Sequence, residues 1–162
     1  MPEPSPFRIA PVRTADDLAA TIALFRAYAR SLDVDLCFQD FEGEMAAMPG
    51  KYAPPRGELL LARLADGTPV GAVALRPLDE PGACEMKRLY VAPEGRGMRL
   101  GEALVRETMT AAQSRGYDAI LLDTLPSMTA AQSLYRKLGF NEIAPYYDNP
   151  VVGAFFMRRA LA

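Results

Sequence analysis

The sequence predicts a mixed α+β fold: a central, largely antiparallel sheet that contains one parallel strand pair and carries helices on its faces. Two observations carry this prediction. Apolar, strand-like runs at residues 57–64, 70–75 and 84–91 follow one another with no helical pattern between them. The first two are joined across Asp66-Gly67, a pair that favours a hairpin, so the three form an antiparallel meander. The third run then leads through a Gly- and Arg-rich turn into an amphipathic helix and on to an apolar run at 119–122. A helix between two strands makes them parallel neighbours joined by a right-handed crossover.

The remaining elements follow in order. Residues 7–13 alternate as a first strand. Thr14, with Asp16 and Asp17 behind it, supplies an N-cap and an acidic first turn. Leu18, Ile22, Phe25, Ala29 and Leu32 recur at helical spacing, which gives a helix to about Ser31. Residues 33–55 are irregular, with a short helix at 41–47 and a break at Pro49-Gly50, and suit a loop that shapes a pocket. Leu100, Ala103, Leu104, Thr108 and Ala111 mark a helix to about Arg115, closed by Gly116. Ser127 is placed to cap a further helix that Gly139 ends, and strands follow at 140–143 and 153–158. No repeat, low-complexity tract or linker interrupts residues 1–162, so one domain is expected.

Composition excludes several functions. Half the residues are hydrophobic and 23% are charged, which is ordinary for a globular protein and argues against general disorder. A net charge of −2 argues against nucleic acid as a partner. No apolar run is long enough to span a bilayer, so no membrane role is expected. Histidine is absent, which rules out a Ser-His-Asp triad, a Cys-His dyad and a histidine-based metal site; no metal is expected. Acid and base work falls to Glu, Asp, Tyr, Lys or water. Cys37 and Cys84 lack CxxC spacing and no secretory signal is visible, so a cytoplasmic location with buried, inert thiols is expected.

The turn before the third helix, Val91-Ala-Pro-Glu-Gly-Arg-Gly-Met-Arg-Leu-Gly101, is suited to a phosphate. Backbone N–H groups at a helix start have no carbonyl partners, and the helix dipole adds partial positive charge there. The Gly-Lys-Ser/Thr of a P-loop is missing. Gly95, Gly97 and Gly101 also miss the G-x-G-x-x-G dinucleotide spacing by one residue, which disfavours a nicotinamide-dinucleotide enzyme.

Three local patterns resemble the GNAT superfamily of N-acetyltransferases: Lys87-Arg88-Leu89-Tyr90-Val91 before the turn, Arg96 to Leu104, and Ala131-x-x-Leu134-Tyr135-x-Lys137-x-Gly139-Phe140. With the element order, the resemblance runs from about Phe7 to Leu161. It implies the GNAT fold, in which the parallel strands ending at Val91 and Thr124 splay apart to receive acetyl-coenzyme A as co-substrate. Leu89 and Val91 would bond the pantetheine arm through their backbones. Arg96, Gly97, Met98, Arg99, Leu100 and Gly101 would hold the pyrophosphate. Thr124, Ser127, Met128 and Ala131 would line the rest of the cofactor site. The superfamily's pattern has glycine where Arg99 stands. A negative φ there lets Arg99 donate its N–H and add its guanidinium, whereas a positive φ distorts the turn. Met128 stands where the family often has asparagine, and Ser127 is a partial substitute.

The resemblance further implies a catalytic pair. Tyr135 matches the phenol that protonates the departing thiolate, with edge packing on the apolar stripe as its other reading. Glu85 matches a general base, with water as the alternative acceptor of the amine proton. Uninterrupted alternation places Glu85, Lys87, Leu89 and Val91 on one face. The acceptor, a primary amine of a small molecule or peptide, would lie against residues 38–41, 51–56 and 146–149. There Tyr146 and Tyr147 could wall a pocket and Asp148 pair with the amine, or Asp-Asn-Pro could merely close a turn. Lys51 and Arg56 hint at an acceptor carboxylate. The alternative function is a non-catalytic coenzyme-A-binding or sensing module. A homodimer through the C-terminal strands is compatible with the apolar run 154–157, as is plain core packing.

Overall fold

The computed structural model describes residues 5–32 and 40–161. Among these, seven strands form one sheet: β1 (Phe7–Pro11), β2 (Glu58–Leu64), β3 (Pro69–Pro77), β4 (Ala83–Val91), β5 (Ala119–Thr124), β6 (Asn141–Ile143) and β7 (Phe155–Ala160). Their order is β1-β2-β3-β4-β5-β7-β6. Every neighbouring pair is antiparallel except β4 and β5, which run parallel. Four α-helices accompany the sheet: α1 (Ala15–Ser31), α2 (Phe41–Ala46), α3 (Leu100–Ser114) and α4 (Thr129–Lys137). The mixed architecture read from the sequence is the one observed.

Both faces of the central strands are covered, which is why their sequences are nearly continuous apolar runs. In β2, Leu60 and Ala62 enter a core with Val105 and Leu104 of α3, while Leu59 and Leu61 face Phe25 of α1 and Phe41 and Met45 of α2. In β3 the same alternation sends Val73 and Leu75 to the first core and Ala72 and Ala74 to the second. Each fully buried Leu or Phe among these contributes about 1.5–3 kcal/mol. The Thr14 side chain caps α1 by accepting from the Asp17 N–H at 3.0 Å. Glu58, almost wholly buried, fastens the start of β2 to Arg13 at 2.8 Å and to Arg115 beyond α3 at 2.6 Å.

Two expectations are corrected here. The cap position of α4 is Met128, with no side-chain cap, and the helix begins at Thr129, so Ser127 does not cap it. The last strand begins at Phe155 rather than 153, because Gly153 has a φ of +83°, incompatible with an extended strand. The apolar run at 119–122 extends as a strand to Thr124, the end that the resemblance implies, and pairing with β7 carries it through Asp123 opposite Phe156 and Thr124 opposite Phe155. The apolar run 154–157 lies on a strand flanked by β5 and β6, with Phe156 and Met157 buried within the chain. Cys37 and Phe38 lie outside the described residues. No described helix is long and apolar enough to cross a membrane.

Candidate active site

Strands β4 and β5 are paired only from Ala83, Cys84 and Glu85 to Ala119, Ile120 and Leu121. Beyond that point they part. The opening is a slot of about 70 Å³ lined by Leu89, Thr124, Met128, Ala131 and Tyr135, with Lys87 and Asp123 also facing it. A bulge in β4 accompanies the parting. Ala72 of β3 is opposite Tyr90 and Ala74 is opposite Lys87, so three steps on β4 match two on β3. Arg88 takes the extra place with a φ of +62°.

The bulge reverses the faces of the strand. Before it, Cys84 and Met86 belong to the α3 core, while Glu85 and Lys87 lie on the opposite face with Arg76. After it, Leu89 and Val91 pack against the α3 core, and Tyr90 packs on the other side with Tyr28 at 6.0 Å between ring centroids. Glu85 and Lys87 therefore do not share a face with Leu89 and Val91. The expectation of uninterrupted alternation is corrected by the one extra residue.

At the mouth of the slot, the helical hydrogen bonds of α3 begin with Ala103 N–H donating to the Arg99 carbonyl at 3.2 Å. The N–H groups of Leu100, Gly101 and Glu102 precede that bond at a helix start, where no helical acceptor exists. Gly97 has a φ of +86° and open space where a Cβ would stand. A Cβ on Gly101 would lie 3.8 Å from Leu134 and 3.9 Å from Val91, both ordinary contacts, so packing within the chain does not require glycine there. Arg96 and Arg99 are exposed beside the turn, Met98 is half-buried, and Arg96 Nε donates to the Val91 carbonyl at 3.4 Å. Arg99 has a φ of +59°, the positive branch of the two alternatives. A non-glycine residue in this region is strained by about 1–2 kcal/mol, partly offset by the unfolded-state entropy that glycine adds. Arg99→Gly is expected to raise Tm by about 2 °C, corresponding to roughly 0.5–1 kcal/mol, measured by thermal unfolding.

Tyr135 is buried, packs 5.6 Å from the Phe140 ring and lines the slot; its hydroxyl makes no hydrogen bond among the described residues. Burial, reinforced by Tyr28 and Asp123, pushes its phenol well above the ordinary value, so the side chain keeps its proton. Two polar atoms in the slot are buried without partners: Thr124 Oγ1 and Arg88 Nη2. Ser127 is exposed and does not line the slot.

On the α1 face a cavity of about 490 Å³ lies between α2, the 3₁₀ turn Gly50–Tyr52 and the sheet, with Glu44, Lys51, Arg76, Lys87 and Tyr147 among its walls. Lys87 lines both the cavity and the slot. Glu85 lies beneath, fully buried and lining neither. Its Oε1 accepts from Arg76 Nε at 2.7 Å and lies 3.9 Å from Lys87 Nζ, and its Oε2 accepts from the Tyr146 hydroxyl at 2.5 Å. Burial, then Glu85, pushes the Tyr146 phenol far upward. The Tyr147 hydroxyl donates to Asp123 Oδ2, which also accepts from Asn149 Nδ2 at 3.0 Å. The rings of Tyr146 and Tyr147 stand edge-on to Phe156 at 5.0 and 5.2 Å. Arg88 donates to Glu44 at 3.0 Å and stacks 5.2 Å from Phe41, while the Tyr52 hydroxyl donates to Glu44 at 2.7 Å.

The structure thus gathers Tyr135, Leu89, Thr124, Met128 and Ala131 at the slot and Lys51 and Tyr147 at the cavity. Asp148 and Arg56 are exposed and line neither; the carboxylate facing the slot is Asp123. Asp123 and Arg88 had no functional role in the sequence reading, and Lys87 only that of a charged neighbour of Glu85, although three charged residues at 85, 87 and 88 in an apolar strand were a usable signal. Burial pushes the Cys84 thiol up to about 12, with its Sγ donating to the Ala119 carbonyl at 3.4 Å, so it is inert. No group of three or more His, Cys, Asp or Glu among the described residues could hold a metal ion.

Comparison with known proteins meets this geometry. Residues 18–140 match the acetyltransferase (GNAT) family. An uncharacterised N-acetyltransferase of Schizosaccharomyces pombe is 42% identical over 158 residues, covering 98% of this chain and 97% of that one. N-acetylaspartate synthetase of Mus musculus is 30% identical over 125 residues, 77% of this chain and 42% of that protein. A GNAT-family acetyltransferase of Staphylococcus aureus superposes with a TM-score of 0.78 over 96% of this chain and 99% of its own, at 21% identity, a likeness of fold. With a parted strand pair, a family match over most of its length and a relative aligned nearly end to end, this chain belongs to the acetyltransferase (GNAT) family and is an acyltransferase.

Proposed function

We propose that residues 1–162 act as one acetyl-coenzyme-A-dependent N-acetyltransferase domain whose acceptor is the primary amine of a small molecule. The observation that carries this reading is the shared wall at Lys87. An acceptor in the 490 Å³ cavity meets the slot there, and the cavity is of small-molecule size. The name of the mouse relative, N-acetylaspartate synthetase, describes a small N-acetylated product and accords with such an acceptor.

The slot fits the thioester end of the co-substrate. It offers the unpartnered Thr124 Oγ1 and Arg88 Nη2, and the start of α3 offers N–H groups with room beside Gly101 for phosphates. Acetyl-coenzyme A supplies an activated acetyl group there. The acceptor amine attacks it directly, Tyr135 stands ready as phenol to protonate the departing thiolate, and Leu89, Met128 and Ala131 exclude water from the slot.

Between Glu85 and water as acceptor of the amine proton, the geometry favours water in the cavity, with Asp123 and Tyr147 at hand. Both Glu85 oxygens are engaged, and the carboxylate holds Arg76, Lys87 and Tyr146 in place. Glu85→Gln is expected to lower stability by about 2 kcal/mol through weakening of this buried cluster. It should reduce kcat by less than about tenfold while leaving the shape of the pH–rate profile intact. Loss of the acidic limb of that profile would instead make Glu85 the base.

Calorimetry with acetyl-coenzyme A, coenzyme A and NADPH, followed by thiol-release assays over an amine panel, tests the whole reading. Binding of the first two alone, with turnover of at least one small amine, is expected. Tight binding with no turnover of any amine would select the non-catalytic alternative.

A further inference from the structure

The Lys87 side chain is only 9% exposed, yet its ammonium makes no hydrogen bond among the described residues. The nearest carboxylate oxygen, Glu85 Oε1, is 3.9 Å away, beyond hydrogen-bond reach. The charge is met by the Glu85 carboxylate at that distance and by the Tyr147 ring, 6.0 Å from Nζ to its centroid, but the three N–H donors of the ammonium are left for an acceptor that a ligand would supply. Arg76 lines the same cavity and commits only its Nε, to Glu85; its other donors have no partner among the described residues.

Around the junction of cavity and slot the charges balance. Arg76, Lys87 and Arg88 stand against Glu44, Glu85 and Asp123. Glu44 at the cavity wall is already paired with Arg88, which leaves Arg76 and Lys87 as the cations of the cavity's sheet wall, while Asp123 is the carboxylate that lines the slot beside Lys87 and Arg88. A neutral but polarised site of this kind matches a zwitterion better than a simple amine or a simple anion.

Resting on the acetyltransferase reading, we propose that the acceptor is an α-amino acid, its carboxylate held by Lys87 and Arg76 and its amine directed toward Asp123 and the slot. In an α-amino acid the carboxylate and the amine share one carbon, so whatever binds the carboxylate must border the reacting end. Lys87 is the one described side chain that lines both compartments. The basic pair suggested by the sequence is accordingly replaced, since Arg56 lies outside the cavity and Lys51 stands at an exposed part of its wall.

The test uses the full chain with acetyl-coenzyme A and a set of amino acids, each paired with the amine that lacks its carboxylate. Coenzyme A release is followed by thiol detection. At least one amino acid is expected to exceed its paired amine in kcat/KM by about 10- to 100-fold, the factor corresponding to one charge-assisted hydrogen bond. Lys87→Met should lower the ratio of kcat/KM between that amino acid and its paired amine by a similar factor, chiefly through KM for the amino acid; Lys87→Arg should restore part of that ratio. Circular dichroism confirms that both variants are folded. Equal turnover within pairs overturns the proposal. So do a Lys87→Met effect of the same size on both members and failure of every amino acid to react while acetyl-coenzyme A binds normally. Failure of the unaltered protein to bind acetyl-coenzyme A is a separate result that removes the acetyltransferase reading itself.

Discussion

Tyr135→Phe is expected to lower kcat by about 10²- to 10⁴-fold, the range for loss of a positioned acid, while the Kd for acetyl-coenzyme A stays within a factor of two to three. The substitution deletes one oxygen and leaves the ring, so the contact with Phe140 at 5.6 Å and the fit of α4 against the core survive. The hydroxyl has no hydrogen bond among the described residues to lose, so the change leaves no orphaned partner behind. In the slot a departing thiolate, whose conjugate acid ordinarily titrates near 8.5, meets little solvent and needs a proton from close by. Burial keeps the Tyr135 phenol protonated across the working pH range. Single-turnover and steady-state rates with one reactive amine, set beside calorimetric binding, check the expectation. An unchanged kcat would transfer the proton donation to water and leave Tyr135 as packing.

Gly101→Ala should move stability and affinity in opposite directions. An alanine at the second position of α3 meets Leu134 and Val91 at ordinary contact distances, so the fold accepts it. Helix propensity then favours the variant by up to about 1 kcal/mol. The same methyl occupies the space through which a phosphate would approach the unpaired N–H groups at the helix start. A lost hydrogen bond to a charged group corresponds to a Kd for coenzyme A raised by about tenfold or more. Thermal unfolding without ligand and calorimetric titration with coenzyme A read the two effects separately. A stabilised variant with unaltered affinity would place the pyrophosphate elsewhere on the molecule.

Much of the fold was legible because its elements satisfy local rules and burial together. The apolar runs of β2 and β3 are double-faced, Asp66-Gly67 makes their turn, and Thr14 caps α1 as its position before two aspartates requires. The slot was legible in part: Leu89, Thr124, Met128, Ala131 and Tyr135 all line it. Other parts depend on partners distant in sequence. Apolar periodicity stops at Leu122, and only the resemblance extended the strand to Thr124; Asp123 belongs to β5 because Phe156 pairs with it, a partner that no window around residues 119–122 contains. Met128 takes the start of α4 although Ser127 has the better capping side chain; nothing in the structure explains that preference. The acceptor cavity joins a 3₁₀ turn at residue 50, an arginine at 76 and a tyrosine at 147, and only the completed sheet brings them together.

The bulge at Arg88 was the least legible feature, since an arginine with positive φ leaves no mark in composition or periodicity. Its consequence reaches beyond geometry. In an evenly pleated strand, each change made to suit a new acceptor would fall on the same face as the contacts of the shared co-substrate. The single extra residue turns Glu85 and Lys87 toward the α1 face and Leu89 and Val91 toward the α3 face. Side chains that shape the acceptor's surroundings and side chains that pack toward the slot are thereby divided between the two sides of one strand. Within nine residues the strand serves two neighbours, and Lys87 is the described side chain at which they meet.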